Sequence, residues 1–187
     1  FCMADDGVRL AYAQSGNGPP LVKTANWLTH LEYDWESPVW RHWMRELSRH
    51  NTLIRYDERG NGLSDRVADN VSFDAWVRDL ETIVDELELE RFPILAMSQG
   101  CGVAIAYAAK HPERVSRLVL YGGFVRGRLV RAKNEAEIEE ARFIINSMPL
   151  GWGRDNPAFR QFFATIFFPD GTPEQHRSFS ELQRVTT

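Results

Sequence analysis

Residues 94–102 read Ile-Leu-Ala-Met-Ser-Gln-Gly-Cys-Gly, and this stretch decides the fold. The apolar run over residues 92–97 predicts a buried strand, and the small-residue run over 100–110 predicts a helix packed closely against a sheet. Ser98 therefore lies in the turn between them, with Ala96 two residues before it and Gly100 two residues after it. A very sharp turn needs small side chains at both positions, because larger ones would collide.

This arrangement is typical of a nucleophile elbow, G-x-S-x-G, with alanine in place of the first glycine. The elbow holds the Ser98 hydroxyl above the sheet at a helix N-terminus, where the helix dipole and the free N–H of Gln99 can stabilise an oxyanion. Two other interpretations stay open. Ser98 could be an ordinary N-cap after a strand, or part of a phosphate-binding turn. Neither G-x-G-x-x-G nor G-x-x-x-x-G-K-[ST] occurs in the chain, so a nucleotide site has little support.

The segments around the elbow alternate between strand and helix patterns. Asp-Gly between two short β-prone runs predicts a hairpin over residues 2–13, with its second strand over 8–13. Strands are predicted over 21–23, 52–56, 92–97 and 117–121, helices over 39–48, 73–87 and 100–110, and a long aromatic loop over 24–38. Alternation of this kind predicts an α/β fold with a mostly parallel sheet and helices on both faces.

The predicted helix over 73–87 is amphipathic, with Ser72 as its N-cap. We expect its polar side to be a solvated face; that side carries Arg78, Asp79, Glu81, Asp85 and Glu86.

The chain beyond about residue 124 contains only helix patterns, which predicts a helical appendage. Asn134, Asn156 and Thr172 are the predicted N-caps of three helices. The middle helix carries an aromatic stripe that either lines an apolar pocket or simply docks on the core; it consists of Phe159, Phe162, Phe163, Ile166 and Phe167.

Composition excludes several classes of protein. The 187 residues are 43% hydrophobic and 26% charged, which is too apolar for a disordered chain. The net charge of −4 argues against a dedicated nucleic-acid binder, and no apolar run is long enough to span a membrane. Cys2 and Cys101 are the only cysteines, so we expect no disulfide framework and a reducing cytoplasm. No pattern indicates a metal or another cofactor.

A second motif lies one strand–helix unit before the elbow. Residues 56–65 read Tyr-Asp-Glu-Arg-Gly-Asn-Gly-Leu-Ser-Asp, directly after a predicted strand. Together with the elbow, this motif resembles the D-x-R-G-x-G-x-S-D loop of the α/β-hydrolase family. The resemblance implies that residues 1–123 form the N-terminal part of the hydrolase core and that 124–187 form a helical cap. It also implies a structural role for Asp57, which we expect to pair with Arg59.

The same resemblance places the oxyanion loop after the strand over 21–23, at Ala25-Asn26-Trp27. The family's usual His-Gly pair is absent, and Asn26 stands where glycine is expected. The resemblance implies that the backbone N–H of Trp27 is a second oxyanion donor beside Gln99. The alternative is that Trp27 is only a buried aromatic residue beside the pocket. Asn26, His30 and Phe163 are the predicted substrate-binding residues.

A serine nucleophile needs a base, and none of the five histidines is a convincing one. The candidates are His30, which lies near the predicted mouth of the pocket, and His42, His50, His111 and His176. In the family the acid and the base follow the serine along the chain. We therefore expect both beyond residue 187.

Two functions remain open at this stage. The first is a serine hydrolase that forms a Ser98 acyl-enzyme with small ester or acyl substrates, needing no cofactor. The second is a non-catalytic ligand-sensing or interaction domain derived from the same fold. No nucleic-acid or membrane partner is expected, but the apolar strand over 115–121 predicts a possible homodimer through an open sheet edge.

Overall fold

The computed structural model describes residues 1–186 and is built around one five-stranded sheet. The strands of the chain are β1 (Cys2–Met3), β2 (Arg9–Leu10), β3 (Tyr12–Ser15), β4 (Pro20–Lys23), β5 (Thr52–Tyr56), β6 (Phe92–Met97) and β7 (Val115–Tyr121). The large sheet has the order β3-β5-β4-β6-β7, in which only β3 runs antiparallel to its neighbour. The predicted α/β fold with a mostly parallel sheet is confirmed.

Helices connect the strands and fill the rest of the chain. They are α1 (Leu31–Glu36), α2 (Arg41–Leu47), α3 (Phe73–Glu86), α4 (Gly100–Lys110), α5 (Arg128–Arg131), α6 (Glu135–Gly151), α7 (Pro157–Phe167) and α8 (Pro173–Thr186). Every strand within residues 1–186 ends before residue 122, and the chain after it is helical. The division into a core over 1–123 and a cap over 124–187 stays a prediction. No helix in the described chain is long and apolar enough to cross a membrane.

The predicted hairpin is present but shorter than expected. β1 pairs antiparallel with β2, as the Asp-Gly turn indicates. The prediction of one strand over 8–13 is wrong, because the chain leaves the hairpin at Ala11 and continues as β3 in the large sheet. The Ala11 N–H donates to Ser64 Oγ at 2.9 Å, and the Ala11 carbonyl accepts from the Asp57 N–H at 3.0 Å. These bonds to the loop after β5 replace the hairpin pairing at this residue.

The predicted loop over 24–38 is also wrong in part, because it contains the short helix α1. The helix begins after His30, whose Nδ1 accepts a hydrogen bond from the Tyr33 N–H at 3.3 Å. Histidine is not among the residues that usually mark a helix start, so the sequence carried no capping signal here.

Four predicted N-terminal caps are confirmed. Ser72 accepts from the Ala75 N–H, and Asn134 and Asn156 accept from the third residue after them in the same way. Thr172 and Gln175 form the reciprocal bonds of a capping box, at 2.9 and 3.2 Å.

The prediction that Asp79 faces solvent is wrong, as is the predicted Asp57–Arg59 pair. Asp79 is fully buried, and Arg59 donates to its carboxylate at 2.8 and 2.5 Å. A second carboxylate, that of Asp6, accepts from Arg59 at 2.6 Å. Asp57 instead accepts from two backbone N–H groups of neighbouring loops, at 3.1 and 2.9 Å. The Arg59 guanidinium therefore links the loop after β5, residues 57–65 and called the motif loop below, to α3 and to the hairpin.

The outer edge of β7 pairs with no strand within residues 1–186, and its apolar side chains are open to solvent. Val119 is 53% exposed and Tyr121 is 60% exposed. An open apolar edge can pair with a second copy, so we propose that the 187-residue chain self-associates through β7. Val119→Arg should shift it towards monomer in concentration-dependent light scattering. Val67→Arg, at an exposed site outside the sheet, should leave the association unchanged. An unsubstituted 187-residue chain that is monomeric at high concentration would contradict the proposal.

Candidate active site

Ser98 lies in a strained turn between β6 and α4. Its φ of 50° is in the left-handed region, which costs a residue other than glycine about 1–2 kcal/mol. The turn is held by two backbone bonds, from the Ser98 N–H to the Tyr121 carbonyl at 3.0 Å and from the Cys101 N–H to the Ser98 carbonyl at 3.1 Å. The Ser98 residue itself is exposed. This is the geometry that the elbow motif predicts, and it presents the hydroxyl at the end of the sheet.

Gly100 allows the loop after β4 to approach the elbow. A Cβ at this position would lie 2.3 Å from the Ala25 carbonyl oxygen and 2.6 Å from Thr24 Oγ1. Thr24 also donates from Oγ1 to the Gly100 carbonyl at 3.4 Å. Because Gly100 has no side chain, the predicted oxyanion loop, which continues to Trp27, can pack against the N-terminus of α4.

Gly100→Ala should lower the free energy of unfolding by about 1–3 kcal/mol, because the added methyl overlaps backbone atoms that cannot move away freely. Urea denaturation measures the change. Gly102→Ala in the same helix is the matched control, since its Cβ would meet only the Phe73 ring, at 3.3 Å, and that side chain can shift. Equal stability of the Gly100 variant and the native chain would contradict the close approach.

A cavity of about 770 Å³ opens beside the elbow, and three predicted site residues line it: Ser98, Gln99 and Trp27. The chain after β7 forms its opposite wall, with the apolar side chains of Ile144, Met148, Trp152 and Phe167 and the cationic side chains of Arg128 and Arg131. The Trp27 ring stacks on Trp152 with centroids 4.9 Å apart.

Within residues 1–186, the backbone N–H groups of Trp27 and Gln99 donate to no protein acceptor. Both are therefore available to an oxyanion, which stays their predicted role.

The other three predicted site residues are not part of the cavity lining. Asn26 accepts from Lys23 Nζ at 2.9 Å and donates to the Trp27 carbonyl at 3.1 Å. His30 caps α1. Phe163 is fully buried behind the wall, with its ring centroid 6.4 Å from that of Trp27. Asn26 and Phe163 each contact the lining residue Trp27, and contact of all three residues with a substrate remains a prediction.

A buried polar cluster that the sequence did not reveal lies beneath the predicted oxyanion loop, residues 25–27. It contains Lys23, Asp34, Arg55 and Asp57. Burial lowers the pKa of Lys23 to about 8 and raises the pKa of Asp34 to about 7, while the attraction between the two opposes both shifts. Because Lys23 also bonds to Asn26, this cluster fixes the position of the predicted oxyanion loop.

Glu58 is the second feature that sequence reasoning missed. It follows β5, lines the cavity, and is only 4% exposed. Its Oε1 accepts from Gln99 Nε2 at 3.1 Å, which joins the motif loop to the elbow. Burial raises the pKa of Glu58 to about 8. The only available signal was its place between the Asp57 and Arg59 of the motif, where the family pattern allows any residue.

No histidine is among the residues that line this cavity in the described chain, and Glu58 is its only carboxylate. His111 bonds to Glu81 at 2.7 Å, and His176 to the Phe168 carbonyl at 2.5 Å. Within the same residues, no group of histidine, cysteine or acidic side chains could hold a metal ion. The structure thus brings together an exposed serine in a strained turn, two backbone N–H groups without a protein acceptor in the described chain, and a mostly apolar cavity that arginines also line.

A sharp serine turn at the carboxyl end of a parallel sheet, beneath a helical wall, defines the α/β-hydrolase class of fold. The sequence profile of the α/β hydrolase fold family matches residues 31–170, and the chain belongs to this family.

Several characterised proteins are similar to the chain over part of their length. A 2-hydroxymuconate semialdehyde hydrolase of Pseudomonas sp. (strain CF600) is 38% identical over 108 residues, which make up 57% of this chain and 34% of that enzyme. An esterase structure from Exiguobacterium antarcticum superposes with a TM-score of 0.74 at 24% identity, over 98% of this chain and 66% of that one. A meta-cleavage product hydrolase structure gives a TM-score of 0.70 at 27% identity, over 97% and 62%. The matches thus span about one third to two thirds of these proteins.

Proposed function

We propose that this chain carries the nucleophile and the oxyanion site of a serine hydrolase that acts on small ester or acyl compounds. The observation that carries the proposal is Ser98, held at a φ of 50° and exposed beside an apolar cavity. The similar proteins named above, a semialdehyde hydrolase, an esterase and a meta-cleavage product hydrolase, support hydrolysis as the reaction type.

In the proposed reaction, Ser98 Oγ attacks the acyl carbon and passes its proton to a base. The N–H groups of Trp27 and Gln99 stabilise the negative oxygen of the tetrahedral intermediate. The leaving group departs with the proton, and water then hydrolyses the acyl-enzyme by the same route. We propose that the histidine and the acid come from beyond residue 187, since no histidine lines the cavity in the described chain and the structural relatives are about half as long again.

The absence of a histidine from the described cavity lining also favours a second candidate, a ligand-binding or interaction domain that does not catalyse. Labelling with a fluorophosphonate probe separates the two functions. The full product of the native reading frame should form a covalent adduct that mass spectrometry maps to Ser98. Failure to label would favour the binding domain.

A further inference from the structure

Glu58 is a buried acid at the elbow that the proposed reaction does not use. Its carboxyl contacts the side chain of Gln99, the residue that directly follows the nucleophile. The other oxygen accepts only a long bond from Asn61 Nδ2, at 3.4 Å. The contact with Gln99 therefore links the loop after β5 to the first turn of α4.

The surroundings of Glu58 favour its neutral form. Both of its hydrogen-bond donors are uncharged amides. Three arginines from other elements, Arg66, Arg128 and Arg131, line the same cavity, but Glu58 forms no ion pair within residues 1–186. The neighbouring Arg59 turns its guanidinium to Asp79 and Asp6 instead. The negative charge of Asp79 adds to the cost of ionising Glu58. A buried carboxylate without a cationic partner takes up a proton.

Gln99 contacts Glu58 through its amide nitrogen, and its Oε1 is buried and accepts no hydrogen bond within residues 1–186. The bond to Glu58 is therefore the contact that holds this side chain. The bond favours the ionised carboxylate and partly opposes the larger effect of burial on the pKa of Glu58.

We propose that Glu58 is a positioning residue: its carboxyl accepts from the Gln99 side chain and so holds the turn that carries the Gln99 backbone N–H, while ionisation of Glu58 places a negative charge beside this oxyanion site and weakens it. The inference rests on the proposed function for its effect on rate. Ionisation leaves the bond from Gln99 Nε2 in place, because Gln99 is its donor and a carboxylate accepts it at least as well as the neutral acid does. The effect of ionisation is electrostatic, because a negative charge then enters the cavity in which a negative oxygen has to be stabilised.

The first test needs no activity and uses the 187-residue chain. In ¹⁵N-labelled protein, the Gln99 side-chain amide signals should shift with a midpoint near pH 8, the pKa to which burial raises Glu58. Glu58→Gln should abolish that titration while keeping an amide partner for Gln99. Glu90→Gln, which removes a charge from an exposed site, should leave it unchanged. Signals that stay still between pH 6.5 and 9.5, or that titrate equally in Glu58→Gln, would overturn the proposal.

The second test is the pH profile of ester hydrolysis by the full product of the native reading frame. Because the neutral fraction of an acid with a pKa of about 8 falls tenfold between pH 7 and 9, the rate should fall about tenfold. In Glu58→Gln this alkaline decline should disappear, with the rate near pH 7 retained. Glu58→Ala, which leaves Gln99 without a partner, should be slower at every pH. An alkaline decline that persists in Glu58→Gln would contradict the role of Glu58.

Other groups in the site also titrate near neutral pH, namely Lys23 and Asp34 beneath the oxyanion loop. Glu58→Gln leaves both groups in place. A pH-dependent change caused by the titration of Lys23 or Asp34 would therefore remain in this variant. If the full product hydrolyses no ester, the proposed function fails, and the amide titration alone then decides whether Glu58 holds Gln99.

Discussion

Replacing Ser98 with alanine should lower the rate of ester hydrolysis by the full product of the native reading frame by about 10⁶-fold, as removal of the nucleophile does in other serine hydrolases. The reason is that no other hydroxyl in the described cavity lining can form the acyl-enzyme. A smaller residual rate above that in water should remain, since the N–H groups of the oxyanion site are backbone groups and survive the substitution.

The size of the loss distinguishes a nucleophile from a serine that only caps a helix, an interpretation that the structure does not favour because the N-cap of α4 is Gln99 and it makes no side-chain cap bond. Replacing a capping serine with alanine costs about 1 kcal/mol of stability and leaves the hydrolysis rate unchanged. Steady-state hydrolysis of p-nitrophenyl acetate measures the rate, and urea denaturation measures the stability of the same variant. Ser147→Ala, in α6 and bonded only to the Ile144 carbonyl, is the matched control and should keep the native rate. Equal rates for Ser98→Ala and the native protein would contradict the nucleophile assignment.

The serine turn was predictable because its rule is local. The small residues at positions 96 and 100 are visible in the sequence and predict a sharp turn at Ser98. The structure shows that a larger side chain at Gly100 would overlap the backbone of the loop after β4. The periodicity of residues 73–87 likewise predicts α3, because the apolar spacing directly reflects which face is buried.

The roles of Asp79 and Glu58 were not predictable from the same patterns. Asp79 lies on the polar side of α3, and only a contact with Arg59, 20 positions earlier in the chain, makes burial of its charge possible. Glu58 is unusual through what surrounds it, a contact with Gln99 41 positions later and no cation. The sequence contains both residues but not the long-range packing that gives them their environment.

The largest expected effect on stability is at the Arg59–Asp79 pair, whose two side chains are each 1% exposed. Asp79→Ala should lower the free energy of unfolding by about 3–5 kcal/mol, because it leaves the buried guanidinium with only the partly exposed Asp6 carboxylate as a charged partner. The loss should reach the site as well. Arg59 lies in the loop that carries Glu58, so a displaced guanidinium should also disturb the contact with Gln99.

Two further variants keep this prediction testable if Asp79→Ala does not fold. Asp85→Ala removes a carboxylate from the same helix, but that side chain is 62% exposed and its partner Arg114 keeps a bond to the Leu89 carbonyl, so the cost should be only about 0–1 kcal/mol. The double variant Arg59→Met with Asp79→Leu removes both buried charges together, and should recover most of the lost stability because the only charge left without its partner is that of the partly exposed Asp6. Urea denaturation measures all three. A loss at Asp79 no larger than that at Asp85 would show that the buried pair does not anchor the motif loop to α3.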